Sequence, residues 1–320
     1  MGLGFDRTVP AGGYAWWYVD AISDDGNHGL TLIAFVGSAF SPYYAFARRR
    51  HGAHNVDADN HCAINIALYD LSLDKRGVNA WAMIERPKVK CARSANRFNV
   101  GPSSLQWSGH DLIIKIDERC APIPHRVRGT ITLTPSIVVE AHDHTVAIDG
   151  EGNHLWQPLA PAARVMLDLD YPNLAWQGCG YLDSNRGSAP LESAFKSWQW
   201  SRARLGDGST VAIYDVQHKA GSRLQLAHHH LASGECETIC TVAHRTLSTT
   251  IWGIARSTQS DGIVAPSPVK TLENGPFYAR SLLSTELLGE KVYAMHESLS
   301  MIRFANPVVQ AMLPFRMPRW

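Results

Sequence analysis

Two short segments of the chain carry side chains able to exchange protons beside aromatic rings. In His154-Leu-Trp156 and in Tyr181-Leu-Asp183, the two outer residues are separated by one position. Residues at i and i+2 of an extended strand face the same side, so each pair is expected to share a face. The four side chains offer a carboxyl group, an imidazole, a phenol and an indole, a set that suits acid–base chemistry. By spacing alone, a solvated aspartate in a turn and a tryptophan in the core remain the ordinary interpretation.

Glycines precede the second segment. Gly178 and Gly180 lie in Trp176-Gln-Gly-Cys-Gly180, directly before Tyr181. Glycine inside a strand often marks a bulge or the close approach of another backbone. The two glycines would therefore allow either a bulge or a close approach beside Tyr181 and Asp183.

Clusters of histidine raise the question of a metal site. His142 and His144 could chelate a metal from one face of a strand, and His228, His229 and His230 are consecutive. Three adjacent residues cannot all face one side of a strand, and no His-Glu-x-x-His pattern accompanies them. We expect packed or surface histidines and no metal, with these two clusters as the alternative.

Other catalytic and binding classes lack their signatures. The chain has no G-x-S-x-G motif, which argues against a serine nucleophile. It also lacks the G-x-G-x-x-G and P-loop motifs, so a nucleotide cofactor is not expected. Its 30 basic and 29 acidic residues form no basic stripe, which argues against a nucleic-acid partner. A carboxylate pair for glycoside hydrolysis stays open, because spacing in sequence does not reveal distance in space.

The pattern of short apolar or alternating runs predicts an all-β protein. Asp207-Gly208 marks a hairpin, and a short helix is expected from Pro307 onward. The Pro-rich stretch 157–162 suggests two β-domains, residues 1–160 and 161–320. The predicted strands are Ala15–Asp20, Leu30–Val36, Ala63–Tyr69, Asp111–Ile116, Gly129–Pro135, Ile137–Ala141, Ala163–Leu169, Ser197–Arg204, Thr210–Gln217, Arg223–His229, Thr250–Ala255 and Val292–His296.

The six cysteines and the apolar segments bear on the compartment. No C-x-x-C pair and no signal-peptide pattern is present, so reduced thiols and a cytoplasmic location are expected. The longest apolar stretch, around residues 30–40, is too short to span a membrane. The apolar segment 307–320, with interspersed arginines, either docks on the protein or lies on a membrane surface.

Four uncommon blocks of sequence resemble the carotenoid 1,2-hydratases, also called hydroxyneurosporene synthases, of phototrophic bacteria. The resemblance implies two lipocalin-like (calycin) barrels in tandem and the hydration of acyclic carotenoids such as neurosporene or lycopene without a cofactor. It also implies contact with the inner or photosynthetic membrane as an alternative to a purely cytoplasmic enzyme. The blocks are residues 14–20 (YAWWYVD), 37–44 (GSAFSPYY), 176–183 (WQGCGYLD) and 312–319 (MLPFRMPR).

The same resemblance assigns functional positions to His154, Trp156, Tyr181 and Asp183. Protonation of the terminal alkene gives a tertiary cation, to which water then adds. Asp183, kept protonated by an apolar pocket, is the expected acid. Trp156 and Tyr181 are expected to stabilise the cation with their ring faces, and His154 to orient the water and take its proton. A non-catalytic lipid or carotenoid carrier and an isoprenoid cyclase on the same fold are the alternatives.

Overall fold

The computed structural model describes residues 4–72, 78–136, 144–240 and 242–320. The predicted strand at Ile137–Ala141 and the candidate ligand His142 lie outside these residues. The chain divides into two units. The first comprises residues 1–70, 79–190 and 310–320, and the second comprises residues 71–78 and 191–309. The boundary predicted between residues 160 and 161 falls inside a continuous strand, His154–Tyr171.

The first unit is built on a twelve-stranded antiparallel sheet. Its main path runs in the order β4-β3-β2-β1-β12-β11-β9-β8-β7-β6-β5, with β10 paired to β11. The strands are β1 (Tyr14–Ser23), β2 (His28–Val36), β3 (Cys62–Asp70), β4 (Val78–Arg86), β5 (Cys91–Ser94), β6 (Arg97–Val100), β7 (Ser103–Ser108), β8 (Asp111–Arg119), β9 (Arg126–Pro135), β10 (Val146–Ala147), β11 (His154–Tyr171) and β12 (Leu174–Gly187).

This sheet curls until strands far apart in its order meet. Phe98 of β6 packs edge-on against Trp17 of β1, with ring centroids 5.9 Å apart, and Phe5 packs against both rings. The alternating apolar residues of the strands fill the enclosed space, because each strand turns every second side chain inward. The result is a barrel-like sheet with an apolar core.

The second unit contains a seven-stranded antiparallel sheet in the order β16-β15-β14-β13-β21-β20-β19, and a separate pair, β17-β18. The predicted hairpin at Asp207-Gly208 joins β13 to β14, as expected. Its strands are β13 (Phe195–Arg204), β14 (Thr210–His218), β15 (Arg223–His230), β16 (Cys236–Thr238), β17 (Ala243–Leu247), β18 (Arg256–Ser260), β19 (Ser267–Asn274), β20 (Tyr278–Leu287) and β21 (Glu290–Ser300).

The helices are short: α1 (Pro42–His51), α2 (Leu191–Ala194), α3 (Met301–Phe304) and α4 (Pro307–Met312). The helix predicted from Pro307 is therefore confirmed. The prediction missed α1, although Ser41 caps it by accepting from the backbone N–H groups of Tyr43 and Tyr44, and Pro42 opens it. No helix within the described residues is long and apolar enough to cross a membrane.

Most predicted strands are confirmed, and one is wrong. Residues Thr250–Ala255 form a turn in which Gly253 donates its N–H to the carbonyl of Thr250, and β18 begins only at Arg256. Trp252 and Ile251 in this turn are exposed, so apolar character alone misled the prediction.

The C-terminal segment docks on the first unit. Arg319 forms a parallel bridge with Glu85 of β4, and its guanidinium contacts the Glu85 carboxylate. The carbonyl of Pro318 accepts from the N–H of Glu85, and Trp320 donates its N–H to the Glu85 carbonyl. Arg316 lies over the Trp81 ring at 4.1 Å. Docking on the protein, one of the two alternatives predicted, is thus observed for this segment.

Candidate active site

A row of acidic and aromatic side chains lies on one face of β1 and β12. The antiparallel register sets Tyr18 opposite Asp183 and Asp20 opposite Tyr181. Directly paired residues of neighbouring strands point to the same face of a sheet. We call these four residues, together with Trp156 of β11, the acid face.

Asp183 is held at the centre of the acid face by two donors. Trp156 donates its Nε1–H to Asp183 Oδ2 at 2.8 Å, and the Tyr181 hydroxyl donates to the same oxygen at 3.0 Å. Asp183 is 2 % exposed, and the other two residues are fully buried. An indole can only donate, so Oδ2 is an accepting oxygen whatever the protonation state of the carboxyl group.

A second carboxyl group lies beside the first. The Tyr18 hydroxyl donates to Asp20 Oδ2 at 3.1 Å, and Asp20 is fully buried. The rings of Tyr18 and Tyr181 meet edge to face with centroids 6.3 Å apart. Asp20 and Asp183 occupy diagonal positions of the β1–β12 ladder, which typically puts such Cβ atoms about 7–8 Å apart. Two carboxyl groups and two phenols therefore share one buried surface.

His154 lies further along the same face. Its Nδ1 is 3.0 Å from the Tyr14 hydroxyl, and the two rings stack with centroids 5.8 Å apart. Burial raises the pKa of Tyr14 well above its ordinary value, and the charge of Asp149 adds to this, so the phenol stays neutral. His154 pairs with Gly187, four residues from Asp183 along β12, a backbone distance of about 13 Å at 3.3 Å per residue.

Two glycines of β12 make these contacts sterically possible. A Cβ on Gly187 would lie 2.6 Å from Tyr14 Cε1 and 2.7 Å from His154 Nδ1, so any larger residue would break their hydrogen bond. A Cβ on Gly180 would lie 2.4 Å from Val165 Cγ2 and 3.2 Å from the Asp20 carbonyl oxygen. Of the two alternatives predicted at Gly180, the close approach is observed.

The Pro-rich stretch 157–162 belongs to β11 and borders the acid face. Register shifts occur between Pro158 and Ala160 and between Ala160 and Ala163. Proline cannot donate to a sheet ladder, and bulges are where a strand inside a sheet accommodates it. Pro158 is paired with Asp183, so the irregularity adjoins the buried carboxyl group.

The structure brings Trp156, Tyr181 and Asp183 into direct contact and sets His154 apart, against Tyr14. Tyr14, Tyr18 and Asp20 were not predicted from the sequence as site residues. The available signal was the alternation in YAWWYVD, residues 14–20, which puts an aspartate on the face that carries Tyr14 and Tyr18.

Of the predicted metal-binding alternatives, the cluster at His228–His230 is fully described. His228 and His230 lie close to Cys236, and one ligand atom from each lies within 4.8 Å of the others. This cluster belongs to the second unit and is separate in sequence from the acid face.

The fold and the buried side chains define an all-β protein in which carboxyl groups, phenols and an indole are enclosed on one face of the larger sheet. The family model of the carotenoid hydratase CrtC matches residues 32–320. The chain belongs to this family.

Curated relatives agree with that assignment, and a solved structure shares the fold. The chain is 51% identical to an acyclic carotenoid 1,2-hydratase of Thiocapsa roseopersicina and 44% identical to one of Rubrivivax gelatinosus, each match covering 98% of this chain and 75% of the relative. Its fold resembles that of a protein from Nitrosomonas europaea provisionally described as AttH, with a TM-score of 0.63 at 15% identity over 90% of this chain and 92% of the other.

Proposed function

We propose that this protein adds water across the terminal C-1,2 double bond of an acyclic carotenoid such as neurosporene or lycopene. The observation that carries the proposal is the identity of 51% and 44%, over 98% of this chain, to relatives named acyclic carotenoid 1,2-hydratase. The acid face supplies groups that this reaction needs: a proton donor, ring faces for a cation and a proton acceptor.

Asp183 is the proposed acid. Burial disfavours the anion of a carboxyl group, which keeps a proton available for transfer. Because Trp156 Nε1 occupies Oδ2 as a donor, the transferable proton lies on Oδ1. We therefore propose that the alkene approaches Oδ1, that C-2 takes this proton and that a tertiary cation forms at C-1.

Aromatic rings around Asp183 stabilise the cation. Trp156, Tyr181 and Tyr18 all lie within the acid face, and the buried setting removes competing water. A desolvated cation over such a ring is stabilised by about 2 kcal/mol.

Two groups are candidates for accepting the proton of the attacking water. His154 was the expectation from sequence. We propose that the neutral Tyr14 hydroxyl donates to His154 Nδ1, which puts the imidazole proton on Nε2, where it can orient a water but not deprotonate it. Neighbouring buried carboxyl groups disfavour double ionisation, so we propose that Asp183 holds the proton while Asp20, which lies one diagonal step away and accepts from Tyr18, is ionised and takes the proton of the water. We assign a water-orienting role to His154.

Hydration changes no oxidation state, so the proposed reaction requires neither a redox cofactor nor a catalytic metal. Asp183 gives a proton to C-2, the water gives one to Asp20 as its oxygen bonds to C-1, and return of that proton from Asp20 to Asp183 regenerates the site, so the net change is the addition of one water molecule. We expect activity to survive exhaustive chelation.

For the setting, we propose two lipocalin-like barrels in tandem in a cytoplasmic protein that meets its water-insoluble substrate at a membrane surface. Phe315 and Trp320 of the docked C-terminal segment are more than half exposed, as suits partial insertion at a lipid interface. Sedimentation with anionic vesicles should be weakened in a Phe315→Ser/Trp320→Ser variant, and equal partitioning of the two proteins would contradict this part of the proposal.

Incubation of the purified protein with lycopene or neurosporene in oxygen-18 water under anaerobic conditions tests the function. We expect a product heavier than the substrate by one labelled water. Bound but unchanged carotenoid would favour the carrier alternative, and a product of unchanged mass would favour a cyclase.

The acceptor assignment is tested by comparing Asp20→Asn with His154→Gln. Loss of a general base lowers turnover by about 10²–10⁴-fold, whereas loss of a water-orienting donor has a smaller effect. We expect Asp20→Asn to be the more severe change. The opposite ranking, with both variants folded, would return the role to His154.

A further inference from the structure

A compact set of metal-ligand side chains lies on the edge hairpin of the second unit. His228 and His230 are separated by one residue on β15, so their rings lie on the same face of the sheet. His230 is paired with Cys236 of β16, whose thiol is free. His230 is buried and the other two are partly buried.

The spacing of the donor atoms fits a single ion. One ligand atom from each residue lies within 4.8 Å of the others, and the two imidazole rings are inclined at 70°. Zinc binds histidine nitrogen at about 2.0–2.1 Å and cysteine sulfur at about 2.3 Å, so the ligands of one tetrahedral ion lie about 3.3–3.8 Å apart. A closure of at most about 1.5 Å, within reach of small side-chain rotations, brings the three donors to these distances.

His229 shows how the strand divides the three consecutive histidines. It turns to the opposite face, where its Nε2 is 2.8 Å from Ser209 Oγ and its Nδ1 is 3.8 Å from Glu237 Oε2. On the side of His228 and His230, the paired residues of β14 are Ala212 and Thr210, whose side chains are short. The imidazoles are therefore larger than their β14 neighbours on this face.

We propose that His228, His230 and Cys236 bind a zinc ion, with water as the fourth ligand. Imidazole and thiolate together suit zinc better than the harder cations magnesium or calcium, which prefer oxygen ligands. On binding, the Cys236 thiol loses its proton to solvent and the thiolate coordinates the ion, with no change of oxidation state.

The consequence is structural. β16 has three residues and forms the edge of the seven-stranded sheet, where it is paired through residues 228–230 of β15. A metal that joins β15 to β16 stabilises the folded edge, because an ion that binds only the folded form shifts the unfolding equilibrium. A well-anchored edge strand is also less available for pairing with another chain.

Metal titration of the full-length, metal-depleted protein tests the proposal. We expect about one zinc ion per chain and, with cobalt as a spectroscopic substitute, a thiolate-to-metal charge-transfer band. Cys236→Ser should abolish that band, and His230→Gln should weaken zinc binding by at least about 100-fold, more than losses of outer-shell groups. His229→Gln and Cys240→Ser are the matched controls and should bind zinc as the unaltered protein does. Failure to bind zinc, or a band that survives Cys236→Ser, would overturn the proposal.

Hydrogen exchange separates ligation from general damage to the fold. Zinc should slow hydrogen exchange in residues 223–240 of the unaltered protein. In the His230→Gln variant, zinc should leave the exchange rates of these residues unchanged. Equal protection of both proteins by zinc, or protection of neither, would contradict the assignment.

Discussion

The two sheets bury different kinds of side chain in their interiors. On β1 of the first unit, successive inward positions are apolar, whereas on β13 of the second unit polar residues precede the apolar ones. The inward residues are Ala15, Trp17, Val19 and Ala21 on β1, and Gln199, Ser201 and Ala203 on β13, directly followed by the buried Leu205.

The polar part of the second interior is held by hydrogen bonds between side chains and to the backbone. Ser201 and Thr258 lie with their hydroxyl oxygens 3.2 Å apart, and Arg256 donates to Ser281 Oγ at 2.8 Å. His296 donates from Nε2 to the Ser257 carbonyl at 2.8 Å. Buried groups of this kind contribute little when satisfied but cost much when one partner is removed.

Because their interiors differ, the two units should lose stability under different perturbations. An apolar interior depends on volume and is insensitive to pH, while a buried polar network depends on its partners and their protonation. In the first unit, Asp20, Tyr181 and Asp183 lie on the acid face rather than in the apolar core, so the proposed chemistry and the packing of the core involve different side chains.

The largest expected effect is on activity, from Asp183→Asn. Asparagine keeps the size of the side chain but cannot transfer a proton, so turnover should fall by about 10²–10⁴-fold while the fold survives. Product formation and circular dichroism measure the two properties. Asp168→Asn, an exposed change on β11, is the control. Near-normal turnover in Asp183→Asn would mean that chemistry is not located on this face.

Phe98→Ala should give the largest loss of stability in the first unit. Phe98 is fully buried between Phe5 and Trp17, and truncating such a ring costs about 3–5 kcal/mol of unfolding free energy. Chemical denaturation measures this loss of unfolding free energy, which should be the same at different pH values. The 90% exposed Val89 provides a control, since Val89→Ala should change stability by less than about 0.5 kcal/mol. A small effect at Phe98 would show that the first interior is not volume-dependent.

The second unit should lose stability as pH falls from about 6.5 to about 4. Burial lowers the pKa of His296 to about 4, and the Arg256 charge acts in the same direction. Between these values the unfolded chain binds the proton and the folded chain does not, so His296 lowers the unfolding free energy by about 3 kcal/mol across this pH range. Hydrogen exchange of residues 195–204 should follow this loss.

His296→Gln sharpens that prediction. Glutamine can still donate to the Ser257 carbonyl but does not titrate. The unfolding free energy of the variant should therefore change less with pH between 6.5 and 4 than that of the unaltered protein. An unchanged slope would assign the pH response to another group.

The smallest effect is expected for Tyr181→Phe. This change removes one of the two donors to Asp183 Oδ2 and leaves Trp156 in place. Loss of one such hydrogen bond should lower turnover by about tenfold. A loss as large as that of Asp183→Asn would instead make Tyr181 the proton donor.

Sequence patterns predicted local features well because their causes are local. Alternation identified most strands, Asp207-Gly208 its hairpin, and Pro307 the last helix. The same reasoning failed at residues 250–255, where apolar side chains lie exposed in a turn. It also read the prolines of residues 157–162 as a break between domains, although bulges carry them through β11 beside Asp183.

By itself, the sequence determined that the protein is all-β. It also determined that His154 and Trp156 share one face of their strand, and that Tyr181 and Asp183 share one face of theirs, because side-chain direction along a strand has a period of two residues. Only the tertiary structure decided which faces meet. Strand register between residues 14–23 and 178–187 set Asp20 diagonal to Asp183, and the β15–β16 ladder set Cys236 beside His230. Such pairings depend on packing between distant segments, which no local spacing encodes.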